Sequence, residues 1–174
     1  ALSSKIMKMT SVQTCIEGLF SIKDTPVPNS IGLKKALIQR QAPDFSLEAL
    51  NQLDVKQKAK TVCLIQDAFN SVYDTEVLLA TYDLLSVLGY SVYVLPFRVN
   101  GKAYHTKGFL KKFKKIAQES TAFYNQITAK GVPIIGIEPS LTLCYRDEYV
   151  EALGDDVKFK VALIQEWLSS NLSY

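Results

Sequence analysis

Along the chain, apolar positions recur first at helical spacing and later in short β-branched runs. Ile6, Met9, Val12, Ile16 and Leu19 fall on one helical face and predict a helix over residues 4–20. Pro26 and Pro28 end it and impose an extended linker. Ser30 is a candidate N-cap for a short helix carrying Leu33, Leu37 and Ile38, which Pro43 closes. Ser46 is a candidate cap for another, with Leu47, Leu50 and Leu53 on one face. Lys56, Lys58 and Lys60 then form a solvated lead-in.

From residue 61 the period changes. Residues 61–66 (TVCLIQ), 91–95 (SVYVL), 132–137 (VPIIGI) and 159–164 are short apolar runs that predict buried strands. Asp74 or Thr75 starts the helix after the first run, with Val77, Thr81, Leu84, Leu85 and Leu88 expected on its buried face and Gly89 past its end. A loop over residues 97–107 follows the second run. A long helix over 108–129 comes next, with Phe109, Phe113, Ile116, Ala117, Phe123 or Tyr124, and Ile127 inward and Lys111, Lys112, Lys114 and Lys115 outward. Ser140 or Thr142 caps a last helix running through Tyr145 and Tyr149 to Leu153. This alternation predicts an α/β fold of three layers, with a mostly parallel four-stranded sheet and an N-terminal helical adaptor. The expected organisation is an adaptor over residues 1–60 and an α/β domain over 61–174.

Composition narrows the function. The chain has 174 residues, 48% of them hydrophobic, and a net charge of +3. That suits one buried core and does not call for a nucleic-acid partner. No apolar run reaches the length of a membrane span, and the first residues lack a secretory signal pattern. Three cysteines, Cys15, Cys63 and Cys144, stand far apart without a CxxC pair, which argues against a disulfide framework or zinc and for a reducing compartment. The expected location is cytoplasmic, and a parent protein could associate with the inner face of the membrane. A first residue other than methionine, and Trp167 near the end with no further element to cover it, suggest a piece of a longer protein.

In a parallel sheet, ligands sit at the carboxyl ends of the strands. Those loops carry Asp67, then Asn100, Gly101, Lys102 and His105, then Glu138, Ser140 and Arg146. Two carboxylates and an imidazole could do acid–base work. The plainer reading is that Asp67 and Glu138 cap loops and helix starts while His105 bonds a backbone carbonyl. No glycine follows the first strand to admit a pyrophosphate, and neither a phosphate-binding GxxxxGK[ST] nor a GxSxG elbow occurs. One histidine and two carboxylates are too few for an expected metal site. Cys63 inside a strand is expected to be inert, and nothing near Cys144 would activate it.

The strings QDAFNSVYDTE (66–76), LGYSVYVLPF (88–97), NGKAYHTKGFL (100–110) and GVPIIGIEPSLTLCYRDEY (131–149) resemble the cysteine-rich CCG domains of heterodisulfide reductase and related iron–sulfur subunits. More narrowly, they are similar to the C-terminal part of long bacterial FAD-binding, iron–sulfur oxidoreductases of the D-2-hydroxyglutarate or D-lactate dehydrogenase type. The resemblance covers about half the chain. It implies FAD and 4Fe-4S in a parent protein, and as partners a flavin domain, a ferredoxin-like segment and a second CCG-like half.

The cluster ligands of that family are absent. Its cysteine positions fall on Asp67, Val99, Asn100, Glu138 and Leu141, and Cys63 and Cys144 lie beside them. Clusters of this family are held by thiolates, so no cofactor is expected within this chain. The expected role is therefore a non-catalytic structural and docking domain, with exposed apolar surface around the adaptor and Trp167. The alternative is a small-anion or substrate site formed by Lys102, His105 and Arg146.

Overall fold

The computed structural model describes residues 6, 7, 9–21, 27–29 and 31–172. Ser30 and Pro26 lie outside the described residues. Helix α1 spans Thr10–Phe20. Helices α2 (Leu33–Gln39), α3 (Leu47–Gln52) and α4 (Val55–Ala59) lead into strand β1 (Thr61–Leu64). A π-helical turn at Phe69–Tyr73 precedes α5 (Thr75–Val87) and β2 (Ser91–Val94). Next come α6 (Lys102–Thr106), α7 (Leu110–Thr128) and β3 (Ile134–Gly136). Helices α8 (Pro139–Arg146) and α9 (Glu148–Leu153), a 3-10 turn at Gly154–Asp156, β4 (Val161–Leu163) and α10 (Ile164–Asn171) complete the chain. Among the described residues no helix is long and apolar enough to cross a membrane.

The four strands form one sheet in the order β2-β1-β3-β4, parallel throughout. Their side chains alternate between two cores, as the period-two geometry of strands requires. Val62, Leu64, Val92 and Ile135 pack with Leu78, Tyr82 and Leu85 of α5 and Trp167 of α10. Cys63, Tyr93, Ile134 and Val161 pack on the other face with Phe113, Ala117, Tyr124 and Ile127 of α7, Tyr145 of α8 and Tyr149 of α9. Edge-to-face contacts join Phe113 to Tyr149 at 5.6 Å and Tyr124 to Tyr145 at 5.3 Å. Such pairs contribute about 0.5–1.5 kcal/mol each beyond their area.

The helices before β1 pack on both cores. Leu33 and Leu37 of α2 sit on the first, Leu47 and Leu50 of α3 on the second, with Ala42 and Phe45 packed on opposite faces between them. This segment therefore covers part of both faces of the sheet. Arg40 forms a two-pronged contact with Asp83 of α5, at 2.7 and 2.8 Å.

Several local features differ from the sequence expectations. The lysine-bearing lead-in is a helix, α4, opened by an N-terminal capping box between Asp54 and Gln57. The loop after β2 contains α6. The helix expected to run to Leu153 breaks at Asp147, whose backbone (φ −106°, ψ −74°) separates α8 from α9. Neither Ser140 nor Thr142 caps it: Glu138 does, accepting from the Leu141 N–H at 2.6 Å. Helix α5 is turned from its expected orientation. Leu78, Leu79, Tyr82 and Leu85 are buried, and Val77 and Leu84 are exposed. Trp167 is buried, its ring 4.7 Å from that of Tyr90 in a T-shaped contact.

Candidate functional site

The order β2-β1-β3-β4 makes the chain reverse direction beside β1. After β1 it passes to the face covered by α5, and after β3 to the face covered by α8 and α9. The loops leaving β1 and β3 therefore start out on opposite faces, and at such a place parallel sheets generally bind ligands, at the strands' carboxyl ends. Close packing shapes this region. A Cβ on Gly136 would collide with the Thr142 hydroxyl, so α8 lies tight against β3. Gly101 has φ +87°, and a Cβ there would stand 3.0 Å from Phe113.

Asp67 is buried at the tip of β1. Its carboxylate accepts from the backbone N–H groups of Phe69 (2.8 Å) and Asn70 (3.0 Å) and from the Asn70 amide. Asn70 in turn accepts from the Asp67 N–H at 2.9 Å. Burial pushes the Asp67 carboxyl above its usual value, the Asn70 and Phe69 N–H groups oppose this, and nearby Glu138 adds to the rise. These contacts close the π-helical turn, and the Glu138 cap starts α8. Both carboxylates thus hold local backbone.

Asn100 is buried too. Its amide donates to the Leu141 carbonyl at 3.2 Å, and its side-chain oxygen accepts from the Lys102 N–H at 3.1 Å. The Tyr149 hydroxyl donates to the Asn100 carbonyl at 2.8 Å. Lys102 pairs with Glu148, whose side chain is 15% exposed. His105 places Nδ1 4.0 Å from the same carboxylate and its ring against Phe113, rather than bonding a backbone carbonyl. Ser140 is exposed at the surface of α8.

Arg146 is not part of this rim. Its Nε donates to the carbonyl of Val161, the first residue of β4, at 2.8 Å, and its guanidinium pairs with Glu166. It lines a separate hollow with Gly131, Val132, Lys158 and Lys160, the residues that lead into β3 and β4. The three side chains expected to form an anion site are therefore split, and the two that remain together face Glu148.

Asn70, Glu148 and Tyr149 were not among the sequence candidates. Glu148 and Tyr149 stand inside the Arg-Asp-Glu-Tyr string, but their partners lie 46 and 49 residues away. Cys63 and Cys144 are buried in β1 and α8, and burial raises their thiols to about 12 and about 11. The side chains at the positions where the CCG resemblance sets cluster ligands are thus carboxylates already engaged with backbone, an amide and apolar groups. They do not fit a thiolate-held cluster. Among the described residues no group of three or more His, Cys, Asp or Glu side chains is gathered. A cleft of about 640 Å³ opens nearby, between α2, residues 42–45 and the ends of β1 and β2, and none of the eight candidate residues lines it.

Fold and rim together define a doubly wound parallel α/β domain in which Asp67, Asn100 and Glu138 at the switch point hold the domain's own loops. Comparison with known proteins places it beside one kind of enzyme. The chain is 41% identical over 150 residues to the D-2-hydroxyglutarate dehydrogenase of Escherichia coli (strain K12), a match covering 86% of this chain and 15% of that protein. The enzyme of the same name from Haemophilus influenzae is 37% identical over 169 residues, 95% of this chain and 16% of its own length. That from Pseudomonas putida is 32% identical over 167 residues, 96% of this chain and 17% of its own. The chain thus spans about a sixth of the length of the curated relatives it matches. No protein-family model matches it, and no solved structure does.

Proposed function

We propose that this chain is a non-catalytic structural and docking domain of a cytoplasmic, multidomain D-2-hydroxyglutarate dehydrogenase. In this reading FAD and 4Fe-4S are held elsewhere in the parent, in a flavin domain, a ferredoxin-like segment and a second CCG-like half. The observation that carries it is the state of the rim. Asp67, Asn100 and Glu138 are each hydrogen-bonded to loop or helix backbone, and Lys102 is paired with Glu148. A general acid, a general base or an anion clamp needs a group left free to meet substrate. Similarity to enzymes several times longer supports a larger parent.

Titration with D-2-hydroxyglutarate and 2-oxoglutarate, followed by the NMR shifts of the His105 ring, tests the role of the rim. No movement at millimolar ligand is expected. A saturable shift would assign the rim to substrate binding and overturn the proposal. Oxidation of D-2-hydroxyglutarate by the full-length polypeptide, with stoichiometric FAD and iron, tests the parent.

A further inference from the structure

Helix α5 is apolar on both sides. Its inner face gives Leu78, Leu79, Tyr82 and Leu85 to the protein interior. Its outer face carries a second apolar row at helical spacing. Val77, Ala80, Leu84 and Val87 follow at intervals of three, four and three, and all four are exposed. Val77 is 41%, Leu84 46% and Val87 86% exposed. On the π-helical turn before the helix, where the Val72 carbonyl accepts from the Asn29 N–H at 2.7 Å, Tyr73, Val72 and Phe69 are also exposed, at 41%, 42% and 55%. Scattered surface apolar residues are ordinary. An apolar row along one outer side of a 13-residue helix, about 20 Å long, is not.

The stripe is also poor in charge. Glu76 lies in the first turn, where a carboxylate favours the helix end, and Asp83 is turned aside to Arg40 of α2. Its complement is therefore an apolar surface rather than an acidic or basic one. Each matched relative carries most of its polypeptide outside the matched stretch.

We infer that the outer face of α5, with the π-helical turn at its head, is a docking seat for an apolar helical face from another domain of the same long polypeptide. This rests on the reading of the chain as one domain of a larger enzyme. It moves the expected contact surface from Trp167, which Tyr90 covers, to the opposite side of the α5 layer. Two helices meeting here would interlock Val77, Leu84 and Val87 with the ridges of the partner at 8–10 Å between axes, as packed helices generally do.

The test uses the full-length polypeptide with Cys15→Ser. Val77→Cys and Leu84→Cys are placed singly on the stripe, and Val55→Cys, 85% exposed on α4, serves as control. Maleimide labelling of the native protein is read peptide by peptide by mass spectrometry. The stripe cysteines are expected to react at least about ten-fold more slowly than the control, and equally fast in urea. A photo-crosslinker at Val87 is expected to join peptides outside the stretch homologous to this chain. Equal native labelling rates overturn the inference. So do crosslinks confined to residues 1–60 or to a second copy. Oxidation of D-2-hydroxyglutarate is assayed on the same preparation. Protection without turnover keeps the seat and removes the dehydrogenase reading, and turnover without protection removes the seat alone.

Discussion

The Tyr149 hydroxyl reaches back across 49 residues to the carbonyl of Asn100, at 2.8 Å. Both groups are buried, so this bond joins α9 to the loop leaving β2 where water cannot substitute for either partner. Burial also pushes the Tyr149 phenol well above its usual value, which keeps it a donor. Tyr149→Phe leaves the carbonyl without this donor while keeping the ring contacts with Phe113 and Tyr145. Urea unfolding is expected to show a loss of about 1–3 kcal/mol, the cost of an unsatisfied buried group. An unchanged midpoint would mean that the bond holds nothing.

Gly136 and Thr142 form a second tight joint. Gly136→Ala drives a methyl group into the Thr142 hydroxyl and is expected to destabilise the fold by about 1–3 kcal/mol. Thr142→Ala removes the atom nearest the collision. The double variant should therefore recover part of the loss, and a double-mutant cycle by denaturant unfolding reads the coupling directly.

The Arg146–Glu166 contact predicts acid sensitivity. The Arg146 guanidinium, followed by the Leu163 N–H, holds the Glu166 carboxyl at about 2, below its usual 4.5. A carboxyl whose folded value is depressed stabilises the fold above its unfolded value and loses that contribution as pH falls through the folded one. The coupling between Arg146→Ala and Glu166→Gln is thus expected to be present at pH 7, to decline below about 4.5 and to vanish near 2. Both side chains are partly exposed, so added salt should weaken it.

Thiol chemistry separates the three cysteines. Cys15 is exposed, and Cys63 and Cys144 are buried with thiols raised to about 12 and 11. At pH 8 one thiol is expected to react quickly with maleimide in the native chain, and all three after unfolding. Fast native labelling of Cys144 would contradict the packing of α8 on β3.

Much of the sheet was legible because buried parallel strands write themselves as short apolar runs. The runs at 61–66, 91–95 and 132–137 each contain a strand, though the paired portions are shorter. The orientation of α5 was not legible. A helix apolar on two sides has no single stripe for its period to select, and only the sheet beneath decides that Leu78 rather than Val77 goes in. The rim residues Asp67, Asn100 and Glu138 were visible as polar groups at strand tips. Their engagement was less so, because Lys102 meets Glu148 and Asn100 meets Leu141 across more than forty residues. Arg146 misled for the complementary reason. It stands at the end of α8, one helix length from the rim, beside the start of β4.

On the proposed reading this domain contributes architecture and not chemistry, and turnover separates the two. His105→Ala and Glu138→Gln are introduced singly into the full-length polypeptide, and kcat with D-2-hydroxyglutarate is measured on preparations of confirmed folding. On that reading kcat stays within about two-fold of the unsubstituted protein in both variants. A fall of roughly 10²–10⁴-fold in either, the usual consequence of losing a general acid or base, would contradict it.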